Sequence, residues 1–149
     1  MRKELWIAPA VFALDRISKL FAERVPPEGI PLIPGVLGLR YARNTGMAFS
    51  LFSGHPWLLG LLSLVIVAAA FFFLRKQKIP RLPMIGLAGM LGGAVGNMLD
   101  RLVTGYVPDM IEFLFVRFAV FNLADAALTT GCALVMLHLL FGGKKAPKE

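Results

Sequence analysis

Apolar residues gather in four blocks along the chain, at about residues 4–22, 57–74, 82–101 and 118–141. Each is near the roughly 20 residues that a helix needs to cross about 30 Å of hydrocarbon. Trp57 to Leu74 is free of charge, and Leu82 to Leu99 carries Asn97 as its one strongly polar side chain. The fourth block contains Asp125, and the first is interrupted by Asp15, Arg16 and Lys19. Asp15 and Lys19 are four apart and share a helical face, the spacing of an intramembrane polar pair. Arg2 and Lys3 ahead of the apolar run Leu5 to Leu14 also outline a cleaved signal peptide. No small-residue cleavage site follows cleanly, and the polar pair favours a retained span.

The segments between the blocks, 23–56 and 102–117, differ in kind. The first opens with Pro26, Pro27, Gly29, Pro31, Pro34 and Gly35, after which Val36 to Tyr41 reads as a short strand. Asn44 to Phe52 then reads as a turn leading into an amphipathic stretch on the membrane surface, with Met47, Phe49 and Leu51 or Phe52 toward lipid. The second has no pattern that fixes its geometry. Together these features predict an all-α membrane protein with one domain over 1–149: a four-transmembrane-helix bundle carrying a small extracytoplasmic β-sheet and a surface amphipathic helix.

Composition agrees with a membrane setting. Hydrophobic residues make up 57% of the 149 positions and charged residues only 17%, which excludes an ordinary soluble domain. The linker between blocks two and three holds Arg75, Lys76, Lys78 and Arg81 without an acid; Arg2 and Lys3 precede the first block, and Lys144, Lys145 and Lys148 follow the last. If all three basic regions face the cytoplasm, the number of spans is even, both termini are cytoplasmic, and 23–56 and 102–117 lie outside. The net charge of +7 is then a matter of topology, and nucleic acid is not an expected partner.

Other chemistry finds little support. Cys132, the one cysteine, lies deep in the fourth block and is expected to be a core thiol. His55 and His138 lack a metal-ligand spacing, and no Walker loop, dinucleotide fingerprint or G-x-S-x-G elbow occurs. Gly89, Gly93 and Gly96, with Gly92 and Gly96 forming G-x-x-x-G, predict close helix packing within the bundle.

The acids are the informative residues. A carboxylate within a bilayer costs roughly 2.5 to 3.5 kcal/mol on insertion scales, so an acid kept there points to a use. The topology gathers Asp15, Asn97, Asp100, Arg101, Asn122 and Asp125 at the outer leaflet, with Asp109 held at the membrane surface by Val107, Met110 and Ile111. Two carboxylates sharing one site do not both ionise easily and titrate as a unit. Asp109 and Asp125 therefore suggest an aspartic-protease pair, in which one member takes a proton from water and the other donates one. Asp100, next to Arg101, reads instead as a paired structural acid, and Glu112 competes for the role from three residues beyond Asp109. A proton or cation carrier would spread acids through the membrane depth, whereas the inner halves of these blocks lack them.

The strings LDRISK (Leu14 to Lys19), NTGMAFS (Asn44 to Ser50), GNMLDRLVTGYVPD (Gly96 to Asp109) and FNLAD (Phe121 to Asp125) resemble, in order and spacing, the signature blocks of lipoprotein signal peptidase, the bacterial signal peptidase II. The resemblance implies an enzyme of the bacterial cytoplasmic membrane that works without metal or cofactor, and a monomer is the expected form. It would cleave prolipoproteins before the diacylglyceryl-modified cysteine and be a target of the cyclic peptide globomycin. Its membrane-lipid setting fits the outer-leaflet position of the acids. By the same resemblance Asp109 and Asp125 form the catalytic dyad, Asn44, Asn97, Arg101 and Asn122 hold substrate backbone or orient the dyad, and Asp15 has a supporting role. One departure is Pro108 before Asp109 and Met110 after it, where the family more often has a β-branched residue and phenylalanine; proline fixes the local backbone and removes an N–H.

Overall fold

A computed structural model describes residues 3–46 and 54–142. The surface amphipathic helix expected from Met47, Phe49, Leu51 and Phe52 falls outside the described residues. Within them a 3-10 turn, Lys3–Trp6, leads into helix α1 (Ile7–Ala22). Strands β1 (Ile30–Ile33) and β2 (Leu37–Asn44) follow, then helices α2 (Pro56–Lys76) and α3 (Arg81–Val103), strand β3 (Val107–Phe113) and helix α4 (Leu123–Phe141). The protein is thus mostly helical with a small antiparallel sheet, ordered β1-β2-β3. Helices α2, α3 and α4 are long and apolar enough to cross a membrane. α1 has 16 residues and rises about 24 Å, less than the roughly 30 Å of a hydrocarbon core.

Glycine puts α3 at the centre. A Cβ on Gly92 would strike the carbonyl of Ala8 in α1, and one on Gly93 or Gly86 would strike the backbone of Ala124 or Gly131 in α4. These contacts carry out the close packing expected of the glycine spacing. Gly89 is different, because nothing lies within 4 Å of where its Cβ would stand. The outer helices bury little: α2 buries Leu59, Gly60 and Leu74, and α4 buries Ala124 and Gly131. Cys132 is accordingly exposed on the outside of α4 and is not the core thiol expected from its depth in an apolar block. Hydropathy locates the block but cannot tell which side of a helix faces its neighbours.

At the end of the bundle where α1 and α3 finish and α4 begins, the chain turns into the sheet. Thr104 and Gly105 both donate their backbone N–H to the Asp100 carbonyl, at 2.8 and 3.2 Å, and Gly105 supplies the positive φ of 79° that ends α3. β3 follows, paired with β2 on one side. On its other side it takes up Phe121, whose carbonyl accepts from the N–H groups of Met110 and Ile111 at 3.0 and 2.8 Å. Phe121, in a β-bridge with Ile111, and the extended Asn122 therefore precede the helix, which starts at Leu123. Val107, Asp109 and Met110 are all buried within the protein.

Pairing between β2 and β3 carries one irregularity. Leu39 faces Ile111 and Ala42 faces Asp109, so β2 spends one residue more than β3 between these pairs. An extra residue exchanges the faces of every later side chain. Without it, Tyr41 and Arg43 would stand on the Asp109 face; with it, Ala42 and Asn44 do.

Candidate active site

Asp109 is buried, with its side chain between β2 and the entry to α4. Its Oδ2 accepts a hydrogen bond from Asn44 Nδ2 at 3.0 Å, which the bulge makes possible, and its Oδ1 accepts from Asn122 Nδ2 at 2.6 Å. Burial raises the Asp109 carboxyl to about 6, the two asparagine donors oppose the rise, and the nearby Asp125 carboxylate adds to it. Asp109 lies in β3, outside the candidate spans.

Asp125 stands at the start of α4 for a local reason. Asn122 caps the helix by accepting from the Asp125 N–H at 3.0 Å, and the Asp125 carboxylate returns the contact by accepting from the Asn122 N–H at 3.2 Å, a reciprocal capping box. The other carboxylate oxygen, Oδ1, accepts from Asn97 Nδ2 at 2.8 Å. Asn122 therefore touches both aspartates, by its side-chain amide on Asp109 and its backbone N–H on Asp125.

Each of the three asparagines has its amide oxygen occupied elsewhere. Asn44 Oδ1 accepts from the Gly46 N–H, Asn122 Oδ1 from the Asp125 N–H, and Asn97 Oδ1 from the Lys19 ammonium. Backbone N–H and ammonium groups donate only, so every amide must turn its NH₂ toward the carboxylates. The dyad candidates meet a donor-only surround.

Behind Asn97 lies an ionic cluster. Lys19 Nζ donates to Asp15 Oδ2, Asn97 Oδ1 and Asp100 Oδ2, each at 2.8 Å, using all three protons. Arg16 completes it, 2.7 Å from Asp100 and 3.2 Å from Asp15. The spacing of Asp15 and Lys19 forecast their pair, but Asp100 does not pair with Arg101: α3 turns it toward α1. Arg101 points to the loop after β2, donating to the Gly46 carbonyl at 3.0 Å. Asp15 also accepts the Ala124 N–H through Oδ1 at 3.1 Å, giving α4 a second cap.

The site thus gathers Asp109, Asp125, Asn44, Asn97, Asn122 and Arg101, with Asp15 one layer behind. Glu112 is not in it, because it points from the opposite face of β3 and pairs with Arg40 at 2.6 Å. The sequence reading joined Lys19 to Asp15 alone and missed its contacts to Asn97 and Asp100. The i, i+4 spacing signalled a buried ammonium without naming these partners 78 and 81 residues away. An apolar cleft of about 530 Å³ is lined by Phe113, Phe118, Phe121 and Leu128 and reaches Asp125, Arg101 and Asn44.

A family model described as signal peptidase (SPase) II matches residues 7–141. The lipoprotein signal peptidase of Geobacillus kaustophilus is 41% identical over 141 residues, covering 91% of this chain and 92% of that protein. That of Thermosynechococcus vestitus is 39% identical over 132 residues, covering 85% and 84%. A solved bacterial membrane enzyme superposes with a TM-score of 0.88 at 28% identity, over 98% of this chain and 93% of that one.

Proposed function

The chain belongs to the signal peptidase II family, and we propose that it is an aspartic endopeptidase that removes the signal peptide of prolipoproteins by cutting before the diacylglyceryl-modified cysteine. Asp109 and Asp125 are the dyad. The ionised member takes a proton from a water held between them, the water oxygen adds to the scissile carbonyl, and the protonated member gives its proton as the C–N bond breaks and the amine leaves. The observation that carries this reading is the bridging of the two carboxylates through Asn122, with Asp125 in the lining of the apolar cleft. The phenylalanines of the cleft suit acyl chains, while Arg101 and Asn44 in its lining suit peptide carbonyls.

In this reading α1 is the fourth membrane crossing, lengthened by the 3-10 turn before it. The termini are cytoplasmic, the sheet and dyad face outward in the bacterial cytoplasmic membrane, and a monomer is sufficient. The test is cleavage of a diacylglyceryl prolipoprotein peptide by purified protein in detergent. Wild type is expected to cut before the lipidated cysteine and to be blocked by globomycin. Asp109→Asn and Asp125→Asn should each lose at least ~100-fold in kcat, the scale of general acid–base catalysis, while remaining folded. Cleavage by either variant at the wild-type rate would remove that residue from the dyad.

A further inference from the structure

We infer that Lys19 is a positioning residue for the dyad: its ammonium holds the Asn97 amide oxygen and so commits the Asn97 NH₂ to Asp125. The inference rests on the dyad assignment, and its basis is geometric. Asn97 is an amide between two dissimilar neighbours. On one side Lys19 Nζ lies 2.8 Å from Oδ1, and on the other Asp125 Oδ1 lies 2.8 Å from Nδ2. A reversed amide would set NH₂ against an ammonium and oxygen against a carboxylate, so only one sense satisfies both. Asn122 Nδ2 also reaches Asn97 Oδ1, but at 3.2 Å and as a neutral donor. The ammonium is the stronger constraint.

Lys19 is itself fixed. It is 6% exposed, and its remaining protons are held by Asp15 from its own helix and Asp100 from α3. It does not line the apolar cleft, so its influence on the reaction passes through Asn97 and through its charge. The charged groups around Asp109 are Asp125 from α4, Lys19 from α1 and Arg101 from α3, with neutral Asn44 on the β2 side. Beyond Lys19 stand Arg16, Asp15 and Asp100. Taking the Lys19 charge away removes a cation that favours ionised carboxyls in the dyad, which should move its apparent titrations together to higher pH.

The decisive comparison is wild type against Lys19→Met. Substitution should lower kcat at least tenfold with KM within about threefold, and should move the pH–rate profile toward higher pH. An unchanged rate, or a lower rate on an unmoved profile, would overturn the inference; the second result is what a merely structural lysine gives. An infrared pH titration of the Asp109 carboxyl, identified by its loss in Asp109→Asn, gives a readout independent of turnover. Its midpoint should rise in Lys19→Met, and an unmoved midpoint counts against the inference even if wild type were to cleave no lipoprotein. That last result would reject the functional reading separately. If Lys19→Met does not fold, Asn97→Asp decides: it keeps an acceptor for Lys19 but turns oxygen toward Asp125. It should lose more than tenfold at neutral pH and recover part of that loss on acidification, as a proton returns between the carboxyls. Full activity at neutral pH would show that the donor sense of Asn97 is immaterial.

Discussion

Asp109 shows how one residue is shaped by its surroundings. Burial raises its carboxyl to about 6, so the folded protein binds this proton more tightly than the unfolded chain, where a free aspartate titrates near ~4. The stability this confers is complete below about pH 4 and is lost as pH rises through about 6. Over that window the thermal midpoint of wild type should fall relative to Asp109→Asn, by an amount corresponding to on the order of 3 kcal/mol. Parallel midpoints across the window would show that Asp109 titrates normally. Most residues of the candidate site were legible in the chain, because topology put Asn97, Arg101, Asn122 and Asp125 at one membrane level and the resemblance of the four strings named them together. The position of Asn44 beside Asp109 was not. It depends on one extra residue in β2, and period-two alternation gives no sign of where a bulge will fall.

At the scale of elements, α3 owes its central place to where its glycines meet neighbouring backbone. Gly86 meets Gly131 of α4, whereas Gly89, one turn away, meets nothing within 4 Å. The two should respond oppositely to the same substitution. Gly86→Ala is expected to destabilise by about 1 to 3 kcal/mol through overpacking, and Gly89→Ala to be neutral or to stabilise by up to about 1 kcal/mol through helix propensity. Thermal midpoints in one detergent check both, and equal losses would reject the packing argument. The helices were readable as apolar blocks because helix signals are local. β3 was not, since Val-Pro-Asp-Met-Ile-Glu-Phe lacks clean alternation and takes its form from β2 and Phe121, which are distant or follow it in the chain. The start of α4 was readable in principle: Asn122 with Asp125 three residues on is an N-cap signature that hydropathy overlooks.

For the whole molecule, the proposed arrangement puts the sheet outside the cell membrane and the α2–α3 linker inside it. In a Cys132→Ser background, Glu28→Cys in the α1–β1 turn should react with a membrane-impermeant maleimide in intact spheroplasts. Gln77→Cys, just after α2, should react only after lysis. The reverse pattern would invert the protein, and labelling of both from outside would remove α2 from the count of crossings. The double cap on α4 bears on how such a chain matures. Asp15 in α1 accepts the Ala124 N–H of α4, and Asp125 takes its position from that same first turn of α4. Helices α1 and α4, more than a hundred residues apart in the chain, must therefore meet before Asp125 is set in place. A chain caught partway through insertion therefore holds the proposed dyad unassembled, because α4 lacks the cap that α1 gives it.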